Sequence, residues 1–381
     1  MEGSRGEMPR FPGKNGLWLR MGLLAAAALA LAGVAGSRIG RGQTAQAAPA
    51  PAHAPQFAAF YVGWDENGRT SLASHIGALD VFSPMWVTVR GAKAELVPED
   101  DPKTQALLAA RPHAPQVIPI VSNAHDDIWD AKAAGAVILD PMVRTRVLAG
   151  LADLAKARGF SGYVFDFEQL TPPAVAAFPA FLAEARSALG PQGLKIWAVV
   201  SVDPQWPMPA LAASADAIVL MGYDECWATS NPGPVGGADW LQAELTQRLA
   251  GVDPGKVVVA LASYGYDWPK GGRARVISAA DALALARRTG ARVKRDPVSA
   301  NAHFAYVDAK GVHREIWMVD GPAFALERRL ASAFRPQGVA LWRLGLEDPG
   351  LWTASDAGLK PPPPPAPGAP VPNPCDPPPT G

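Results

Sequence analysis

Gly162-Tyr163-Val164-Phe165-Asp166-Phe167-Glu168 alternates along its whole length. Successive side chains of an extended strand point to opposite faces. Tyr163, Phe165 and Phe167 therefore share one face, and Gly162, Val164, Asp166 and Glu168 share the other. Three aromatics suit a face packed against helices. The opposite face carries two carboxylates two residues apart, which repel each other and are costly to bury unless one holds a proton. A pair whose surroundings push its pKa values apart is an acid/base device. The same spacing also fits a strand end whose acids face solvent or pair with Lys or Arg, so the place of this strand in the fold decides between the two.

Outward from this stretch, the chain repeats one unit. Short β-type runs occur at Phe57–Gly63, Leu79–Val89, Gln116–Ser122, Gly162–Glu168, Lys195–Val202, Ala217–Tyr223, Lys256–Tyr264 and Gly338–Leu344. Most are followed by segments with helical apolar spacing, an order that argues for parallel strands joined by crossover helices. The helices include Met142–Arg158, Ala174–Leu189 and Trp240–Ala250, each followed by a stop glycine at Gly159, Gly190 or Gly251. Eight such units describe an α/β fold, a (β/α)8 TIM barrel spanning residues 56–355. The interval Lys270–Asp320 breaks the rhythm, with a helix at Ala279–Arg288 and a hairpin around Ala309-Lys310-Gly311, and reads as a small α+β insertion between strands seven and eight. Barrels of this kind place their chemistry at the C-terminal ends of the strands, where Asp166 and Glu168 stand.

These residues also carry a resemblance. Ser161 to Glu168 is similar to the D-G-x-D-x-D-x-E signature of glycoside hydrolase family 18, the chitinase-like family, whose fold is a (β/α)8 barrel with this motif on strand four. Asp166 and Glu168 match; Ser161 and Val164 stand where the family often has aspartates. Met221-Gly222-Tyr223-Asp224 resembles the family's M-x-Y-D motif on strand six, and Trp342 stands where the family has its sugar-stacking tryptophan on strand eight. The stretches around Tyr223, Tyr264 and Trp342 look most like the bacterial envelope branch, with its spore-type peptidoglycan N-acetylglucosaminidases and barrels accompanying polysaccharide deacetylases. The resemblance implies a retaining glycosidase with no enzyme nucleophile, in which the substrate's own 2-acetamido oxygen attacks the anomeric carbon. It assigns Glu168 as general acid/base, Asp166 as the group orienting the acetamido N–H, and Tyr223 as donor to the acetamido oxygen. Asp224 becomes a polar substrate contact and Trp342 the apolar floor under the sugar. Tyr264, Trp64, Trp86 and Trp317 are candidate further sugar contacts. The substrate class is N-acetylglucosamine-containing polysaccharide, with chitin and peptidoglycan left open. A second reading, an inactive carbohydrate-binding barrel, draws on Val164.

Composition narrows the classes further. Lys+Arg and Asp+Glu both number 35, so the formal net charge is zero with 18% charged residues, which excludes a nucleic-acid binder relying on bulk positive charge. At the N-terminus, Arg5, Arg10, Lys14 and Arg20 precede an uncharged run from Met21 to Ser37, and Ala45-Gln46-Ala47 follows. This reads as an export signal within residues 1–47, either cleaved or retained as a membrane tether through residues 17–37, with a linker at 48–55. Residues 356–381, dominated by proline from Pro361, read as an extended, disordered tail. Cys226 and Cys375 are far apart in sequence and give no reason to pair them. His125-Asp126-Asp127 reads as a solvated loop, since consecutive residues converge poorly on one ion. No metal, no cofactor, and a monomer are the expectations.

Overall fold

The computed structural model describes residues 55–363 except 127 and 357, together with 366, 371 and 375. The expected export segment at 1–47 and nearly all of the linker therefore lie outside the described residues. None of the described helices is long and apolar enough to cross a membrane.

The architecture is TIM-barrel-like. Parallel strands β1 (Gln56–Tyr61), β2 (Val81–Pro84), β3 (Gln116–Val117 and Ile120–Ser122), β4 (Gly162–Asp166), β5 (Lys195–Ser201), β6 (Ala217–Gly222), β7 (Val257–Ala262) and β8 (Gly338–Trp342) follow one another round the sheet. β8 returns to β1 through the register Phe57↔Val339. The two pieces of β3 join the remaining neighbours. Gln116–Val117 pairs with β2, while Ile120–Ser122 pairs with β4. Between the pieces, Ile118 donates to the Phe82 carbonyl at 3.0 Å and the Pro119 carbonyl accepts from Val164 at 2.9 Å. Pro119 has no N–H of its own to donate, which is why the ladder is interrupted there.

The expected second strand, Leu79–Val89, is likewise broken. It stops at Pro84 and resumes as Val87–Arg90, which forms an antiparallel hairpin with Glu95–Pro98. Of the three expected stop glycines one caps its helix, since Ala238–Arg248 ends at Leu249, before Gly251. Gly159 caps Pro141–Arg158 in the left-handed region, at φ 69°. Gly190, expected to stop the helix Pro172–Leu189, is right-handed at φ −57° and opens a short 3-10 turn; the left-handed residue is Gly193, at φ 79°.

Between β7 and β8 the chain forms a five-stranded antiparallel sheet. Its order is Arg275–Ser278, Tyr264–Pro269, His313–Met318, Ala302–Val307, Lys294–Arg295, and the helix Ala279–Thr289 follows its Arg275–Ser278 strand. It begins at Tyr264, six residues before the expected boundary, because Tyr264-Gly265-Tyr266-Asp267-Trp268 alternates as a strand of its own. One face carries Ile277, Phe304, Ile316 and Met318 against the helix; Tyr264, Tyr266 and Trp268 join the main barrel core instead.

The cysteine expectation is overturned. Cys226 and Cys375 form a disulfide with Cα atoms 5.2 Å apart, although 149 residues separate them in sequence. Both are fully buried, the Cys375 carbonyl accepts from the Asn231 N–H at 3.3 Å, and Val371 packs against the barrel core. Sequence distance carries no information about spatial distance once a barrel folds the chain back on itself. The bridge closes a loop of about 150 residues, for which chain entropy allows up to about 5 kcal/mol. Reduction, or Cys375→Ser, is therefore expected to lower the melting temperature by several degrees, read by calorimetry with and without reductant.

Candidate active site

β4 behaves as its alternation requires. The Tyr163 hydroxyl donates to the Leu151 carbonyl at 2.7 Å on the helix Pro141–Arg158, and Phe165 meets Phe181 edge-on at 5.0 Å on the helix Pro172–Leu189. Gly162 is required because a Cβ there would sit on the backbone of Lys195 in β5. The inward face then places Val164 level with Ile120 and Trp197, and Asp166 level with Ser122, all of them buried. The apolar layer beneath Asp166 explains its chemistry. Burial, and then the Glu168 charge, push its carboxyl well above the usual range.

Glu168 lies just past the end of β4, and its backbone is gripped by a residue the sequence did not single out. Asn123, fully buried at the end of β3, accepts the Glu168 N–H on Oδ1 and donates from Nδ2 to the Glu168 carbonyl, both at 3.0 Å. Its own carbonyl accepts from Asp130 at 2.7 Å. This amide replaces the strand pairing that β4 no longer supplies beyond Asp166. Asn123→Ala removes both bonds at once. We expect kcat to fall about 10–100-fold with KM nearly unchanged, because Glu168 is misplaced and not removed; steady-state kinetics and a melting curve check this.

Tyr223 completes the centre from the end of β6. It is buried, and its hydroxyl is held well above the usual range by burial and then by the charges of Asp166, Asp224 and Glu168. All four groups thus lie near one another at the C-terminal end of the barrel. The Tyr223 ring is stacked with Trp342 of β8, centroids 6.3 Å apart and planes at 13°, and Phe60 of β1 braces the same indole edge-on at 5.4 Å. Trp342 is half-buried.

Asp224 stands in the left-handed region at φ 60°. Its Oδ1 accepts from the Tyr264 hydroxyl at 2.5 Å and from the Tyr266 hydroxyl at 3.0 Å. Tyr264 is buried with its hydroxyl committed to Asp224, so it orients that carboxylate from behind. Trp64, 41% exposed, follows β1, where Asp65 pairs with Arg343 beyond β8 at 2.7 Å. Trp317 lies opposite Tyr266 in the second sheet, half-buried and stacked on His303 at 4.3 Å. Trp86 is a correction. It is 2% exposed and packed against Phe82 and Phe160, because the break at Pro84 turns its ring into the wall, and it has no face to offer a sugar.

Next to the centre, Glu225 is buried and accepts from the Gly237 N–H at 2.7 Å; burial is the main cause that lifts its carboxyl to about 8. The folded protein thus holds a proton that the unfolded chain releases near pH 4.5, so stability present below that pH is lost as pH rises toward 8. Glu225→Gln should flatten this part of the stability–pH curve, measured as melting temperature between about pH 5 and pH 8. His125 pairs locally with Asp126 and Asp130, and among the described residues no group of three His, Cys, Asp or Glu side chains could hold a metal ion.

No protein-family model matches the chain. Among curated proteins it is 27% identical over 274 residues to the uncharacterized glycosylase YvbX of Bacillus subtilis, covering 68% of this chain and 80% of that protein. It is 26% identical over 248 residues to the cortical fragment-lytic enzyme of Bacillus subtilis, covering 61% of this chain and 58% of that protein. Among solved structures, a chitinase from Chromobacterium violaceum superposes with TM-score 0.73 at 26% identity, over 80% of this chain and 99% of that one. The Bacillus cereus spore cortex-lytic enzyme SleL superposes with TM-score 0.70 at 19% identity, over 78% and 73%, a likeness of fold alone.

Proposed function

We propose that this chain, a glycosidase similar to the chitinase-like enzymes of glycoside hydrolase family 18, is exported and cleaves β-linked N-acetylglucosamine-containing polysaccharide by substrate-assisted retaining catalysis. One observation carries the reading. Asp166 and Tyr223, both buried, lie within reach of the charges of Glu168 and, for Tyr223, Asp224 at the C-terminal end of the barrel, and the Trp342 indole is stacked on Tyr223.

In the first step the substrate's acetamido oxygen bonds to the anomeric carbon, the glycosidic C–O bond breaks, and Glu168 gives its proton to the leaving oxygen. The oxazolinium ion so formed is faced by Asp166 and Tyr223. In the second step a water oxygen bonds to the anomeric carbon, the ring opens back to the acetamide, and Glu168 takes the water's proton. Trp342 supports the apolar face of the pyranose throughout. Export agrees with the basic and then apolar N-terminal sequence, and with relatives named as spore cortex-lytic enzymes.

A second reading, a carbohydrate-binding barrel without turnover, is favoured by Val164 alone, which leaves Asp166 with an apolar neighbour below. Reducing-end release from chitooligosaccharides and from purified peptidoglycan separates the two: release by the wild type on either polymer supports the enzyme, and binding without release supports the second reading.

A further inference from the structure

The chain behind Tyr223 is held by a residue of the region between β7 and β8. After β6 the backbone runs out through Tyr223 and Asp224 and comes back beside itself before the helix Ala238–Arg248 begins. Glu225 donates to the Val235 carbonyl at 3.0 Å and Cys226 to the Pro234 carbonyl at 2.9 Å. Gly236, on the returning segment, lies directly against the site. A Cβ there would meet the Gly222 carbonyl oxygen at 3.1 Å and the Tyr223 Cα at 3.8 Å, so the Gly236 backbone limits how far Tyr223 can retreat.

Asn301 fixes that backbone. It stands just before the strand Ala302–Val307 and is fully buried. Its Oδ1 accepts the N–H of Val235 at 3.0 Å and that of Gly236 at 3.5 Å, and its Nδ2 donates to the Gly236 carbonyl at 3.0 Å. One planar amide thus answers both the donor and the acceptor of Gly236, as a neighbouring strand would. The same Nδ2 reaches Glu327 Oε1 at 3.4 Å, on the helix Gly321–Ala333. The turn that presents Asn301 is itself tied down. Asp296 donates its N–H to the Asn301 carbonyl at 3.0 Å, and Ala238 donates to the Ser299 carbonyl at 2.9 Å. Arg295, one residue earlier, is paired with Asp320 at 2.6 Å.

From this we infer that Asn301 is a positioning residue of the reaction: by clamping Gly236 behind Tyr223, it sets the place of the Tyr223 hydroxyl that faces the acetamido group. The inference rests on the glycosidase reading above. Asn301 is buried and its amide is committed to backbone and Glu327, so it acts through Tyr223 and touches no substrate. A donor aimed at developing charge loses much of its effect when it moves by a fraction of an ångström. The second sheet then contributes to the chemistry through this clamp, in addition to the bonds from Tyr264 and Tyr266 to Asp224.

The test is a double-mutant cycle in the full chain on acetylated chitooligosaccharides, with Asn301→Ala, Tyr223→Phe and both together. Asn301→Ala is expected to lower kcat about tenfold at nearly unchanged KM, and to weaken inhibition by a thiazoline analogue of the cyclised sugar by a similar factor. In the Tyr223→Phe background the same change should cost less than about twofold in either readout, because the hydroxyl it positions is gone. A residue that only supports the fold would act equally in both backgrounds. Equal losses in the two backgrounds, or no loss in Asn301→Ala, overturn the inference. Asn301→Asp keeps the shape and the acceptor for both N–H groups, so its loss should be smaller than that of the alanine variant; it carries the cycle if Asn301→Ala does not fold. If the wild type cleaves no acetylated polymer, the glycosidase reading fails by itself, and the cycle is read by calorimetric binding of the chitooligosaccharide. Weakened binding that disappears as an effect in Tyr223→Phe supports the clamp, and absent, unaltered or equally weakened binding overturns it.

Discussion

Glu168→Gln is expected to lower turnover by at least 10²–10⁴-fold, the contribution of general acid catalysis, while oligosaccharide binding persists. The amide keeps the shape of the carboxyl and leaves the backbone bonds from Asn123 untouched, because these reach the Glu168 N–H and carbonyl and not its side chain. Folding should therefore be preserved, and the loss should appear in kcat and kcat/KM together. Asp166 cannot take over as acid in this variant. It sits one pleat deeper, level with Ser122, and is buried. Reducing-end assays, with binding followed in parallel by tryptophan fluorescence, provide the check. Retained turnover in Glu168→Gln would remove Glu168 from the acid role.

The contrast between Asp166 and Asn123 shows what was legible in the sequence and what was not. The inward place of Val164 and Asp166 was legible because alternation on a strand has a period of two, and Tyr163 and Phe165 on one face of β4 leave the other face no choice but inward. Asn123 has no comparable signature. Its role is to bond backbone from a neighbouring strand, and that role depends on the register Ser122↔Asp166, which only the assembled sheet fixes. The bond from the Tyr266 hydroxyl to Asp224 escaped for a related reason, since it joins the second sheet to the residue after β6. Trp86 failed in the opposite direction. An aromatic near a strand end reads the same whether its ring turns outward to a ligand or into the wall, and the break at Pro84 decided it. The Cys226–Cys375 bridge lay beyond any local pattern, and with it the docking of Val371 and Cys375 on the barrel.

Fully deacetylated polymer is expected to resist cleavage altogether, even where it binds. The inward face of β4 carries only two carboxylates, since the third inward position is Val164, buried level with Ile120. If Glu168 is the acid, a covalent route would have to use Asp166 as nucleophile. Its surroundings argue against that role. Burial is the main cause that favours its protonated form, and a protonated carboxyl can still accept the acetamido N–H on its carbonyl oxygen but is poorly suited to attack carbon. The nucleophile must then come from the sugar, and the 2-acetamido oxygen is the group placed to supply it. A glucosamine unit has no such oxygen, so hydrolysis should fall to background on chitosan while the acetylated polymer is cut. A thiazoline analogue of the cyclised sugar should inhibit more tightly than the product, because it resembles the species Asp166 and Tyr223 face. Trapping of a glycosyl adduct on Asp166 by mass spectrometry, or equal rates on the two polymers, would rule out substrate assistance while leaving the barrel and its carboxylates where they are.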